Sequence, residues 1–332
     1  MEKIADIRLA IFGCGTETET LYLPALRQSS AARVVLLVDE DIQRCSNLAG
    51  RFGIPNYAGD VQDDLYNLFD GAIVTLPPQA CSPLCLKLLR NKKAVMAEQP
   101  TTFSVVQIEE LIDAVRLSPA PFLLAKPREH LLSHRFTRSL LDHEILGKVR
   151  SFDVRIGNPE LSSSKPGDNG GILAGAGVPV LNCLFDWLGD YVDVEYLDDA
   201  EGGVEANCFL TLTMRSAAAG IVELSCTRKL RNTAIIRFER GTLEIGLDCN
   251  DYKLTLVDQS CSLAGQIGAL DGTQEDQSDL GLARKQIAGF LSAIRQGLNL
   301  ENDAQLARSS AALIETCYRI RKPLNLSWTR FA

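Results

Sequence analysis

Ile7-Arg8-Leu9-Ala10-Ile11-Phe12-Gly13-Cys14-Gly15 is the stretch whose reading decides the fold. Ile7, Leu9 and Ile11 alternate as in a β-strand, and the run stops at Gly13. Gly13 permits a tight turn, and Gly15 lets the backbone approach a pyrophosphate at the N-terminus of a following helix. Val34 to Val38 form a second apolar run that ends at Asp39. An acidic residue there binds both hydroxyls of a ribose. Asp39 and Glu40 together repel a 2′-phosphate, so NAD is expected in preference to NADP. Two features depart from the pattern. Thr18 stands where a third glycine is usual, and the turn continues as Thr16-Glu17-Thr18-Glu19-Thr20. Carboxylates in a first helical turn either cap its amides and point to solvent or compete with a phosphate. A chain that binds no cofactor is therefore the alternative.

Outward from this turn, strand-like and helix-like stretches alternate. Ala72 to Leu76, closed by Pro77-Pro78, is a third apolar run. Ala94 to Ala97 is a fourth and Phe122 to Ala125 a fifth. Val105 to Val115 has helical spacing, with Val106, Ile108, Leu111, Ile112 and Val115 on one side. This repetition predicts a doubly wound parallel sheet. Beyond Lys148 the pattern changes to longer alternating runs, at Val149 to Ile156, Cys208 to Met214, Gly220 to Cys226, Ala234 to Phe238 and Thr242 to Ile245. These predict an open, mostly antiparallel sheet. The fold class is thus α/β, with a Rossmann domain at 1–122 and an α/β domain for substrate and oligomerisation at 123–332. Gly157 to Gly171 reads as a loop, and Asp271 to Asp279 as a polar surface loop. Two late helices are expected. One carries Ile287, Phe290, Leu291, Ile294 and Leu298 and stops at Gly297. The other is capped by Asp303, carries Leu306, Leu313, Ile314 and Cys317, and closes before Pro323.

The chain has 332 residues, 46% hydrophobic and 23% charged, with a net charge of -8. That balance argues against nucleic-acid and anionic-membrane partners. No stretch approaches the ~20 apolar residues that span a bilayer. Met1 to Asp6 lacks the apolar core of a signal peptide, so a cytoplasmic location is expected. The 10 cysteines then read as reduced and mostly buried. Cys81 and Cys85 are four apart, but no second Cys or His pair completes a zinc site, and no metal is expected.

The chain resembles the glucose–fructose oxidoreductase, inositol dehydrogenase and MocA (Gfo/Idh/MocA) family over nearly its whole length. The resemblance is carried by Gly13-Cys14-Gly15 with Leu23-Pro24-Ala25-Leu26, Val38-Asp39, Thr75-Leu76-Pro77-Pro78 and Glu98-Gln99-Pro100. Leu146 to Arg150, Gly170-Gly171 and Gly241-Thr242-Leu243 extend it. It implies a Rossmann domain and a second α/β domain whose open sheet forms an oligomer interface. It also implies NAD- or NADP-dependent chemistry on sugars, cyclitols and related small polar molecules. It assigns Gly13, Gly15, Asp39, Pro77, Glu98 and Pro100 to the cofactor. In the family Gln99 is a lysine, Gly175 an aspartate and Pro179 a histidine. A frequent aspartate is Asn182 here, and a frequent histidine after the Pro-Pro turn is Cys81. This member therefore lacks the usual catalytic Lys, Asp and His.

Oxidising an alcohol requires a base for the hydroxyl proton, and losing that base costs on the order of 10²–10⁴ in rate. Gln99 cannot ionise, but it can orient a ligand. Lys126, just after the fifth apolar run, is the candidate replacement base, with a solvated or salt-bridged lysine as the bland reading. Arg128 and Arg155 are candidates for an anionic substrate group, alongside Gly175, Pro179 and Asn182 in a substrate pocket. For Arg155 a structural ion pair is the more frequent reading. His130 and His134, beside Glu129, read as a solvated helix face. Three functions are open. The first is an altered oxidoreductase that keeps NAD(P) and acts on a small polar or sugar-like molecule. The second is a catalytically inactive relative serving as a ligand-binding, regulatory or partner subunit, with a protein partner. The third is isomerisation or elimination through Lys126.

Overall fold

The computed structural model describes residues 6–159, 170–200, 204–257, 262–268, 276–298 and 301–324. The chain divides into two compact units, Met1–Pro127 with Asp276–Arg308, and Arg128–Glu275 with Ser309–Ala332. Residues 276–308 thus pack with the N-terminal part of the chain rather than with the sheet they follow in sequence.

The first unit is built on a six-stranded parallel sheet. Its strands are β1 Ile7–Phe12, β2 Ala32–Val38, β3 Asn56–Ala58, β4 Gly71–Val74, β5 Ala94–Ala97 and β6 Phe122–Leu124, in the spatial order β3-β2-β1-β4-β5-β6. The order reverses between β1 and β4, as in dinucleotide-binding folds. Every residue of β4 and β5 is buried, as expected for a parallel strand covered on both faces. β3 is a sixth strand beyond the five apolar runs of the sequence. Its three residues are only half-buried or exposed, too short and polar to signal themselves.

Helices α1 Leu23–Arg27, α2 Ile42–Phe52, α3 Pro78–Arg90 and α4 Val105–Leu117 connect the strands. α2 starts where the Asp41 carboxylate accepts from the Arg44 amide at 3.0 Å, and it stops at Gly53 with φ +69°. That left-handed conformation suits a residue without Cβ. Cys81 and Cys85 lie fully buried on α3.

The second unit opens with α5 Leu132–Asp142. Its nine-stranded sheet comprises β7 Val149–Gly157, β8 Tyr191–Asp198, β9 Asn207–Met214, β10 Ala219–Ser225, β11 Thr233–Phe238, β12 Gly241–Gly246, β13 Asp251–Leu256, β14 Ser262–Gln266 and β15 Lys322–Pro323. The order is β14-β13-β12-β11-β7-β10-β9-β8-β15. Pairing is antiparallel except for β7 with β10 and β8 with β15. α6 Val178–Leu188 carries nine buried residues, including Leu181, Leu184 and Trp187. All five alternating runs expected from the sequence, now β7, β9, β10, β11 and β12, hold to within a residue or two.

α7 Asp279–Gln296 packs with the first unit, where Phe290 and Ile294 approach Gly71 closely. Ser278 caps it and Gly297, φ +62°, ends it, so Leu298 lies outside the helix. α8 Glu301–Ile320 corrects one expectation. Asp303 does not cap the helix but sits within its first turn, buried, with its carboxylate directed to the end of β6. The expected loops at Gly157 to Gly171 and Asp271 to Asp279 fall largely outside the described residues. Among the described residues, no helix is long and apolar enough to cross a membrane.

Candidate functional site

The carboxyl edge of the parallel sheet gathers the first unit's candidate residues. The hydrogen-bond ladder runs one residue past each strand. Gly13 donates to Val38 at 2.8 Å, Thr75 to Phe12 at 2.8 Å, Glu98 to Val74 at 2.8 Å and Ala125 to Ala97 at 2.8 Å. Gly13, Asp39, Thr75, Glu98 and Ala125 therefore end up along one edge. In an open α/β sheet that edge, at the reversal of strand order, is where ligands bind.

The turn after β1 is tightly specified. Gly13 has φ +99°, and a Cβ there would meet Thr75 Oγ1 at 2.4 Å and its carbonyl oxygen at 2.9 Å. Asp39 Oδ2 accepts from the Cys14 amide at 2.6 Å, and Oδ1 accepts from the Asp41 amide at 2.8 Å. Thr18, the departure from glycine, is fully buried. Its hydroxyl donates to the Gly13 carbonyl at 2.7 Å and lies 3.1 Å from the Thr75 hydroxyl. Close strand–helix packing is thus achieved with a hydroxyl link instead of a missing side chain. The helix that follows begins as a π-helical turn, Thr18–Tyr22, and runs into α1. Such turns concentrate at functional sites.

A dinucleotide fits these residues. A Cβ at Gly15 would meet nothing within 4 Å, so the space beside the turn is open. A carboxylate offers about four acceptor positions, so Asp39 keeps capacity beyond its two amide bonds. Glu19 is paired with Arg51, which offsets its charge. Glu17 is exposed and makes no side-chain cap to the π turn.

On the far side of the strand reversal, the Tyr22 hydroxyl donates to Glu98 Oε1. Desolvation pushes the Glu98 carboxyl up to about 7, against the Tyr22 bond and with help from the charge of Glu17. Burial, with Glu98 alongside, holds the Tyr22 phenol well above its usual range. This pair spans 76 positions of sequence, and no local signal announces it. Gln99 is joined to Pro100 by a cis peptide, and its side chain donates to the Ala125 carbonyl at 2.9 Å. Pro77 accepts from the Ala80 and Cys81 amides at the start of α3.

Lys126 forms a largely buried ion pair with Asp303 at 2.7 Å, with 16% and 11% of the side chains exposed. Its amide donates to Gln286 at 2.8 Å, and the Leu124 amide donates to Asp303 at 2.8 Å. The bland reading of this lysine is the one the geometry matches.

In the second unit the Gly170-Gly171 stretch leads into another π-helical turn, Leu173–Gly177, which runs into α6. A Cβ on Gly171 would collide with the buried Glu205 carboxyl, which accepts from the Leu173 amide at 3.1 Å and from Tyr318 at 2.8 Å. Sequence reasoning missed Glu205. Space is open at Gly175, Pro179 lies in the first turn of α6, and the buried Asn182 accepts from Ser310. Arg128 pairs with Asp248 at 2.8 Å, and Arg155 pairs with Asp153 at 2.9 Å and Glu223 at 3.4 Å. His130 and His134 occupy different elements. His134 is buried, not solvated, and bonds Asp186 at 3.0 Å. Although burial opposes it, bonding to Asp186 and Cys183 lifts the His134 imidazole to about 9.

Residues 7–122 match the family described as an oxidoreductase family with an NAD-binding Rossmann fold. That match covers strands β1 to β5 of the first unit and is to the Gfo/Idh/MocA oxidoreductase family. It is 27% identical over 150 residues to a dTDP-3,4-didehydro-2,6-dideoxy-alpha-D-glucose 3-reductase of Actinomadura kijaniata, which is 44% of each chain. The chain spans less than half the length of the first curated relatives it matches. Two solved structures share the fold. An oxidoreductase from Agrobacterium radiobacter, in complex with NAD+, L-tartaric acid and magnesium, superposes with TM-score 0.81 at 15% identity, covering 95% of this chain and 96% of that one. A 3-ketoreductase from Actinomadura kijaniata, in complex with TDP-benzene and NADP, gives TM-score 0.79 at 20% identity, covering 96% and 99%.

Proposed function

We propose that this chain is a Gfo/Idh/MocA-type oxidoreductase-family protein that binds NAD in preference to NADP. It acts on a small polar or sugar-like molecule without the usual Lys, Asp and His. The observation that carries this reading is the intact turn, in which Gly13 closes on Thr75 and Asp39 holds the Cys14 amide while Gly15 leaves space beside it. Asp39 and Glu40 favour a ribose over a 2′-phosphate. When bound, the nicotinamide supplies or accepts a hydride. This chain's own residues bind and orient: Gln99 is held by Ala125, and Glu98 is held by Tyr22. The relatives' activity on nucleotide-linked sugars supports a substrate in that class.

A second reading is a catalytically inactive subunit that binds a ligand or a protein partner. Two observations favour it. Lys126 is tied to Asp303 rather than free to act as a base, and positions 99, 175 and 179 hold no ionisable group. This geometry also weakens isomerisation or elimination through Lys126. We further propose a cytoplasmic homo-oligomer that forms through the nine-stranded sheet.

Titration with NADH and NADPH, followed by the melting transition, tests the first reading. Saturation at 100 times Kd raises stability by about 2.7 kcal/mol. A larger shift with NADH is expected. No shift with either cofactor at millimolar concentration removes the reading and leaves the second.

A further inference from the structure

We propose that Glu98, held by the Tyr22 phenol, carries a proton whose presence sets the preference of this site between oxidised and reduced nicotinamide cofactor. The inference rests on the dinucleotide reading and deepens it.

Position comes first. The Glu98 amide extends β5 by bonding to Val74, on the β4–β6 side of the strand reversal. Asp39 ends β2 on the opposite side, and Gly15 lies between. A dinucleotide whose ribose meets Asp39 and whose pyrophosphate meets Gly15 carries its nicotinamide toward the Glu98 half of the crevice. Glu98 is the residue beside Gln99, where the family's ionisable lysine is missing.

Charge comes second. The oxidised nicotinamide ring is a cation and the reduced ring is neutral, so an ionised carboxylate favours the oxidised form and a protonated one does not. The groups facing Glu98 are Tyr22 from the π turn, Glu17 from the helix start and the amide of Gln99 from its own loop. Tyr22 keeps its proton, Glu17 opposes a second negative charge, and the amide is neutral. Desolvation places the carboxyl's titration at about 7. Below that pH, oxidised cofactor must displace a proton to gain the attraction; above it, the charge is already present.

Calorimetric titration of NAD+ and NADH separately, from pH 5.5 to 8.5 and in two buffers of different ionisation enthalpy, tests this. NAD and not NADP is used because a 2′-phosphate titrates in the same range. The expected result is an NAD+ Kd that falls by up to about tenfold per pH unit on the acid side and levels above about 7, with proton release on binding. NADH affinity stays flat. Glu98→Gln removes the pH dependence of the NAD+ Kd. Tyr22→Phe moves the inflection to higher pH, because the phenol bond favours the ionised carboxylate. An NAD+/NADH affinity ratio that is constant with pH, or a slope that survives in Glu98→Gln, overturns this inference and leaves dinucleotide binding standing. Absence of binding of either cofactor overturns both.

Discussion

Asp39 Oδ2 lies 2.6 Å from the Cys14 amide nitrogen, so the side chain proposed to bind a ribose also ties the end of β2 to the turn leaving β1. Recognition and local folding are thus coupled in one carboxylate. Asp39→Ala removes both functions. NADH affinity is expected to fall at least about tenfold, roughly the 1.4 kcal/mol of one lost charged hydrogen bond. Urea midpoints should fall by an equivalent of about 1–2 kcal/mol. Asp39→Asn, which keeps one acceptor oxygen, should recover part of the stability. Unchanged NADH binding in the alanine variant would place ribose recognition elsewhere.

The two glycines of the turn should separate stability from binding. Gly13→Ala combines a left-handed φ with a 2.4 Å approach to Thr75 Oγ1. A loss of about 2–4 kcal/mol is expected in chemical denaturation. Gly15→Ala meets nothing within 4 Å. Its melting temperature should match the parent, while its methyl group fills the space the pyrophosphate needs and cofactor binding is lost. A Gly15→Ala protein that binds NADH as tightly as the parent would contradict the placement of the pyrophosphate.

His134 should give the fold a pH signature. Its imidazole is held at about 9 in the folded state by Asp186 and Cys183, despite burial, against about 6.5 when unfolded. The raised value means that the folded state holds the proton more tightly. The contribution is therefore fully present below pH 6.5 and is lost as pH rises through 9. The shift corresponds to about 3 kcal/mol. Stability measured from pH 6 to 9.5 should decline in the parent and decline less in His134→Gln. Parallel profiles would show that the pair does not titrate in this way.

Lys126 and Asp303 should behave as a buried structural pair. Lys126→Met leaves a buried carboxylate without its ammonium, at a cost of about 3–5 kcal/mol. Adding Asp303→Asn removes the stranded charge and keeps an acceptor for the Leu124 amide, so the double variant should regain much of the loss. Denaturation of the four proteins completes the cycle. If Lys126→Met is as stable as the parent but abolishes turnover on an identified substrate, the lysine is catalytic after all.

Local pattern made much of the fold legible. The runs at Val34, Ala72, Ala94 and Phe122 are continuous and apolar because parallel strands are covered on both faces, while Ile7, Leu9 and Ile11 show the alternation of a strand. Asn56 to Ala58 and Asp251 to Leu256 escaped notice because their side chains are exposed or only half-buried, so no face demanded an apolar pattern. Asp303 looked like a cap because its spacing before an apolar stripe suits one. The structure gives its carboxylate to Lys126, 177 positions away. Glu98 was singled out by resemblance, yet its partner Tyr22 was not.

By itself, the sequence determined the two architectures, the dinucleotide turn with Asp39, and the absence of ionisable groups at 99, 175 and 179. These depend on residue identity and on periodicities of two and 3.6, which neighbouring positions already express. Tertiary structure alone decided that Lys126 is bound to Asp303, that Thr18 links Gly13 to Thr75, and that Glu98 meets Tyr22. Such contacts arise when distant segments close on one another and exclude water. Desolvation and partner geometry, which set the charge of a carboxyl or an amine, do not exist in the chain until it has folded.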